Sequence, residues 1–102
     1  MIGLRFTGQC RDASGDWGNF IYHRSKTPAE CKDFCYNMAY CEAYQLKSGY
    51  TSCVLNCPKC DQRDATSIGF MFSTGTSAGP IAKGNGLANV DCYTKQGTTI
   101  FQ

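Results

Sequence analysis

The sequence predicts an α+β fold: one helix packed on a curved antiparallel β-sheet in a disulfide-rich domain. Three observations predict it. One segment carries a full set of helix-start signals. Several short apolar runs, separated by turn residues, read as antiparallel strands with no βαβ rhythm. Eight cysteines, an even number, stand at positions 10, 31, 35, 41, 53, 57, 60 and 92 of 102 residues. That is dense enough for a disulfide scaffold.

The elements follow in order. Leu4-Arg5-Phe6-Thr7-Gly8-Gln9-Cys10 alternates weakly and reads as a first strand. Residues 11–19, RDASGDWGN, are a turn-rich loop, and Phe20-Ile21-Tyr22 is a short strand. Thr27-Pro28-Ala29-Glu30 is a capping box with proline at the first helical position, where its missing N–H is harmless. Cys31, Phe34, Cys35 and Met38 then recur at helical spacing on one face, so a helix is expected over 28–39. Residues 41–47 and 50–56 read as a hairpin turning at Ser48-Gly49. Ile68-Gly69-Phe70-Met71-Phe72 is a further strand. The glycine-rich segment 73–89 reads as a long loop, and Val90-Asp91-Cys92-Tyr93-Thr94 as the last strand.

Length sets the expectation of one domain over residues 1–102. The net charge is +2, and no run of Lys or Arg forms a basic patch, so neither nucleic acid nor an anionic membrane surface is an expected partner. The apolar runs are too short for membrane insertion. No N-terminal segment reads as a signal peptide, so the chain is expected to be cytosolic or a mature piece of a secreted protein. The wide cysteine spacing favours the oxidised, extracellular or luminal alternative. No N-x-S/T acceptor adds to that.

The stretch CVLNCPKC, Cys53 to Cys60, can be a metal site, a redox motif or a covalent staple. A four-cysteine zinc site needs a second C-x-x-C, which the chain lacks. The spacing also matches the iron–sulfur ligands of radical enzymes, but those enzymes carry the cluster on a large barrel. No metal and no cofactor is expected. Cys57-Pro58-Lys59-Cys60 has the C-x-x-C of thiol–disulfide enzymes, but not their βαβ setting, and reads as a stapled turn.

The run T-P-A-E-C-K-D-F-C, then C-E-A-Y, then C-V-L, flanked by an early G-Q-C-R-D and a late D-C-Y, resembles the PAN/apple module. The resemblance spans about Gly8 to Tyr93. It implies nested pairing: Cys10–Cys92, Cys31–Cys53 and Cys35–Cys41. Cys57 and Cys60 fall outside the family's six and are left to each other. It also implies a non-catalytic recognition module that binds carbohydrate or protein. A structural or accessory subunit of a larger assembly is the alternative, and a redox protein using Cys57 and Cys60 a third.

No catalytic constellation is evident. Ser73, Ser77 and His23 form no recognisable nucleophile–base set, and the carboxylates of Asp12, Asp16, Glu42, Asp61 and Asp64 are scattered. No enzymatic activity is expected. The candidate ligand rim is Arg11, Asp16, Trp17, Asn19, Lys83 and Tyr93, brought together if Cys10–Cys92 draws the 11–19 and 73–89 loops side by side. Its mixed charges suit a neutral or weakly polar sugar. The competing reading makes Trp17 a plug in the side of the core, with Asp16 and Asn19 serving turns. Tyr36 lies off the apolar helix face and is expected to be at least partly exposed, while most of the rings of Tyr36, Tyr40, Tyr44 and Tyr50 are expected to cover the sheet.

Overall fold

The computed structural model describes residues 4–76 and 80–95. Along the chain run β1 (Arg5–Thr7), β2 (Cys10–Asp12), β3 (Phe20–His23), α1 (Pro28–Asn37), β4 (Ala43–Lys47) and β5 (Cys53–Asn56). They are followed by α2 (Gln62–Ser67), β6 (Met71–Ser73), β7 (Ile81–Gly84) and β8 (Val90–Thr94). Six strands form one antiparallel sheet in the order β1-β8-β4-β5-β3-β6, and β2 and β7 form a separate two-stranded ribbon. The α+β class, with one main helix on an antiparallel sheet and four disulfides, is as the sequence predicts.

α1 begins where its sequence says. Thr27 Oγ1 accepts from the Glu30 N–H at 3.1 Å, and the Glu30 carboxylate accepts from the Thr27 N–H at 2.9 Å. The helix stops at Asn37, with Met38 as its extended C-cap.

Four expectations are corrected. The first strand is two strands, broken at Gly8, whose φ of +103° only glycine adopts without strain. β1 joins the large sheet and β2 the ribbon. The segment after Cys60, expected as a turn, is α2. Asp61 caps it by accepting from the Asp64 N–H, and the Asp64 carboxylate accepts from the Asp61 N–H, each at 3.0 Å. α2 takes up Ile68 as its C-cap, so β6 starts only at Met71. The 73–89 loop contains β7, which pairs with β2 through Arg11↔Lys83. Ser77, with residues 78 and 79 of that segment, lies outside the described residues.

Alternation assigns each strand residue to a face. Ile21, Tyr44, Leu46, Leu55, Phe72 and Tyr93 share one face, where they pack with Cys31, Cys35, Phe34 and Met38 of the α1 segment and with Ala65 and Phe70. Cys31–Cys53 fastens α1 to β5, and Cys35–Cys41 fastens it to the entry of β4. Cys57–Cys60 closes the turn before α2, both sulfurs packing against Met38 Sδ at 3.8 and 3.7 Å. On the opposite face Cys10, Ala43 and Cys92 are buried with Phe6 and Ile81 around them. There the ribbon lies over β1, β8 and β4. Cys10–Cys92 holds it down, and Glu42 Oε1 accepts from the Ile81 N–H at 3.2 Å.

The two capping boxes give the fold a pH dependence. The Glu30 carboxylate is held below its ordinary range by the Thr27 N–H, and the Asp61 carboxylate by the Asp64 N–H. A carboxyl group depressed in the folded state stabilises above its unfolded pKa and loses that contribution as pH falls through the folded one. The urea midpoint is therefore expected to be flat from pH 7 to about 5 and to fall below about pH 4. Asp61→Asn, which keeps a capping acceptor, should flatten part of that fall. A midpoint constant down to pH 2 would contradict the assignment.

Candidate functional site

The ribbon leaves part of its sheet face uncovered. Over β4, β5 and β3 a cleft of about 360 Å³ opens, within the range of small-molecule sites. Its floor is set by register. Asn56 lies opposite both Phe20 and Ala43, and Val54 lies opposite Gln45, so Phe20, Asn56, Val54 and Gln45 point the same way. Arg11 of the ribbon strand β2, Gln9 just before it, Trp17, Ser73 and Thr74 complete the lining.

Each wall residue is held by local chemistry. The Asp12 carboxylate is buried and accepts from the N–H groups of Ser14 and Asp16 at 2.9 Å each, curling the loop that presents Trp17. The Trp17 carbonyl accepts from the Thr76 N–H at 2.7 Å. Gly75 lets those two segments touch: a Cβ there would collide with the carbonyl oxygens of Trp17 and Gly18. Trp17 is 44% exposed and belongs to neither buried cluster, so it does not plug the core. Its π-face carries the Arg11 guanidinium, 4.5 Å from the ring centre. Arg11 Nη1 donates to the Cys10 carbonyl at 2.8 Å and Nη2 to Gln9 Oε1 at 2.7 Å. Burial pushes the Arg11 pKa down from its ordinary value, yet guanidinium stays charged.

On the floor, Gln45 Oε1 accepts from the Cys10 N–H at 2.8 Å. Asn56 is 3% exposed, and its Oδ1 meets no hydrogen-bond donor among the described residues. An orphaned buried carbonyl of this kind is destabilising by about 1–3 kcal/mol.

The six rim candidates separate. Arg11 and Trp17 line the cleft together. Lys83 is exposed and faces Arg11 across the ribbon. Asp16 is exposed beside the loop but is not part of the lining. Asn19 is consumed structurally: Nδ2 donates to the Cys60 carbonyl at 3.1 Å and Oδ1 accepts from the Gly75 N–H at 3.2 Å. Tyr93 stacks on Tyr44, 5.2 Å between ring centres, on the helix-covered face. Tyr36 is exposed, as its place off the apolar helix face implies, and Tyr44 covers the sheet; Tyr40 and Tyr50, expected to cover it, are exposed. Sequence reasoning missed Gln9, Gln45 and Asn56. Their one available signal is a polar residue interrupting a run of strand-forming neighbours.

Among the described residues no three His, Cys, Asp or Glu side chains gather as a metal site, and no helix is long and apolar enough to cross a membrane. The four disulfides are compatible with an oxidising extracellular or luminal compartment. No family model, curated protein or solved structure matches the chain.

Proposed function

We propose that the protein is a non-catalytic recognition module of the extracellular or luminal space whose open-face cleft binds a saccharide. The observation that carries this reading is the Asn56 carboxamide, almost wholly buried at the cleft floor with an unsatisfied acceptor. Rotation about its terminal torsion exchanges oxygen and nitrogen, so the amide can meet a ligand hydroxyl as acceptor or donor. The rest of the lining suits the same ligand. Trp17 and Phe20 offer ring surface to C–H groups, and Gln9, Gln45, Ser73 and Thr74 offer uncharged hydrogen-bonding groups. The resemblance to PAN/apple modules agrees with a binding role, and the nested pairing it implies is the pairing present. Burial of Cys57 and Cys60 weighs against thiol–disulfide exchange, which needs access to sulfur.

A glycan array tests the proposal, followed by titration of any bound glycan into two variants. Trp17→Ala is expected to weaken binding at least tenfold while the domain stays folded. Asn56→Leu is expected to abolish binding while leaving the melting temperature unchanged or raised, because an apolar residue relieves the orphaned carbonyl. An array with no bound glycan would overturn the reading. So would variants that bind as the parent does.

A further inference from the structure

Resting on that reading, we propose that the saccharide carries a carboxylate, as a hexuronic acid does, and that Arg11 receives it. Arg11 is the one charged side chain in the cleft lining. Among the described residues no carboxylate comes within ion-pair distance of it: the two ion pairs present are Arg5–Asp91 and Arg63–Asp61. Its two hydrogen-bond acceptors, the Cys10 carbonyl and Gln9 Oε1, are both neutral. The guanidinium therefore has no direct carboxylate partner at the cleft, the buried Asp12 carboxylate beside it in the chain accepting instead from the Ser14 and Asp16 N–H groups. Lys83, directly opposite on the ribbon, adds charge of the same sign.

The guanidinium is also pre-organised. The Trp17 ring on one side and two hydrogen bonds at its tip fix its plane, while N–H donors remain for a ligand. A planar, immobilised fork is suited to a carboxylate, and little side-chain entropy is left to lose on binding. The neighbouring amides and hydroxyls are neutral, which fits the sugar hydroxyls of a uronate better than the concentrated charge of a phosphate group. Asp16, whose carboxylate would have balanced the charge for a neutral sugar, is not part of the cleft lining.

The test compares sugars that differ only at C6. The methyl glycosides of glucuronate and galacturonate are titrated beside those of glucose and galactose, following the indole N–H signal of Trp17, the only tryptophan. At least one uronate is expected to bind tenfold or more tightly than its neutral counterpart, with the difference shrinking as salt is added. Arg11→Gln should bring the two affinities together, and Arg11→Lys should restore only part of the gap. Unchanged amide dispersion in both variants shows that they fold. Equal affinity of the parent for a uronate and its neutral counterpart would overturn the carboxylate proposal and leave the saccharide cleft standing. A preference for the uronate that persists in Arg11→Gln would also overturn it. Failure of all four sugars to move the Trp17 signal overturns it too. The array result then decides separately whether the cleft reading survives.

Discussion

Replacing Cys10 and Cys92 together by alanine is expected to remove about 4–5 kcal/mol of stability, the largest loss from any one crosslink. The bond spans a sequence separation of 82, against 22, 6 and 3 for the others. In the chain-entropy picture the longest closed loop constrains the unfolded ensemble most. Small domains hold only about 5–15 kcal/mol in total, so the variant should be marginal at 37 °C. It should also lose the cleft, because this bond holds the ribbon that supplies Gln9 and Arg11. The comparison is Cys57→Ala with Cys60→Ala, expected to lose about 2 kcal/mol on the same scale. Alanine is the right replacement there, since both sulfurs are buried and serine would leave hydroxyls without obvious partners. Urea unfolding of both double variants checks the ranking. A greater loss at Cys57–Cys60 than at Cys10–Cys92 would reverse it.

The second large effect is expected at Leu55→Ala, about 2–5 kcal/mol. Leu55 is wholly buried on the helix-covered face, in the cluster that includes Ile21, Tyr44 and Phe70. Its removal leaves a void beside Cys31–Cys53, and crosslinked neighbours cannot close in on it. The contrast with Asn56, the next residue, is the informative part. Leu55 and Asn56 point to opposite sides of β5. One change should weaken the fold and leave saccharide affinity intact under native conditions; Asn56→Leu should do the reverse. A Leu55→Ala loss below about 1 kcal/mol would mean that this face tolerates repacking.

What the sequence revealed depends on how local the signal is. α1 was legible because Thr27, Pro28 and Glu30 specify its start within four residues, and Cys31, Phe34, Cys35 and Met38 mark its buried face. α2 has an equivalent start in Asp61 and Asp64. It is only six residues long and buries Ala65 alone, so no apolar period announces it. β7 reads as a loop because Ile81-Ala82-Lys83-Gly84 is a strand only by virtue of β2, some seventy residues earlier in the chain. The site divides in the same way. Trp17 and Arg11 stand out by residue type in a turn-rich segment. Gln45 and Asn56 enter the cleft through the register of β3, β4 and β5, which no local window contains. Asn19 and Tyr93 were drawn to the rim by proximity in the chain, and hydrogen bonding and strand alternation place them elsewhere.

The nesting of the crosslinks also determines how the chain responds to being cut. Cys31–Cys53, Cys35–Cys41 and Cys57–Cys60 all lie within the span closed by Cys10–Cys92, and none crosses another. A protease that nicks the backbone once, anywhere between Cys10 and Cys92, therefore adds the mass of one water and releases nothing. The exposed loop before Trp17 can be clipped and the molecule stays in one covalent piece. Two cuts behave differently. Cleavage after Arg24 and after Arg63 would excise a segment whose six cysteines are paired only among themselves. The two end pieces, carrying Arg11 and Trp17, would stay joined through Cys10–Cys92, while the strand bearing Asn56 would leave with the excised part once its non-covalent contacts let go.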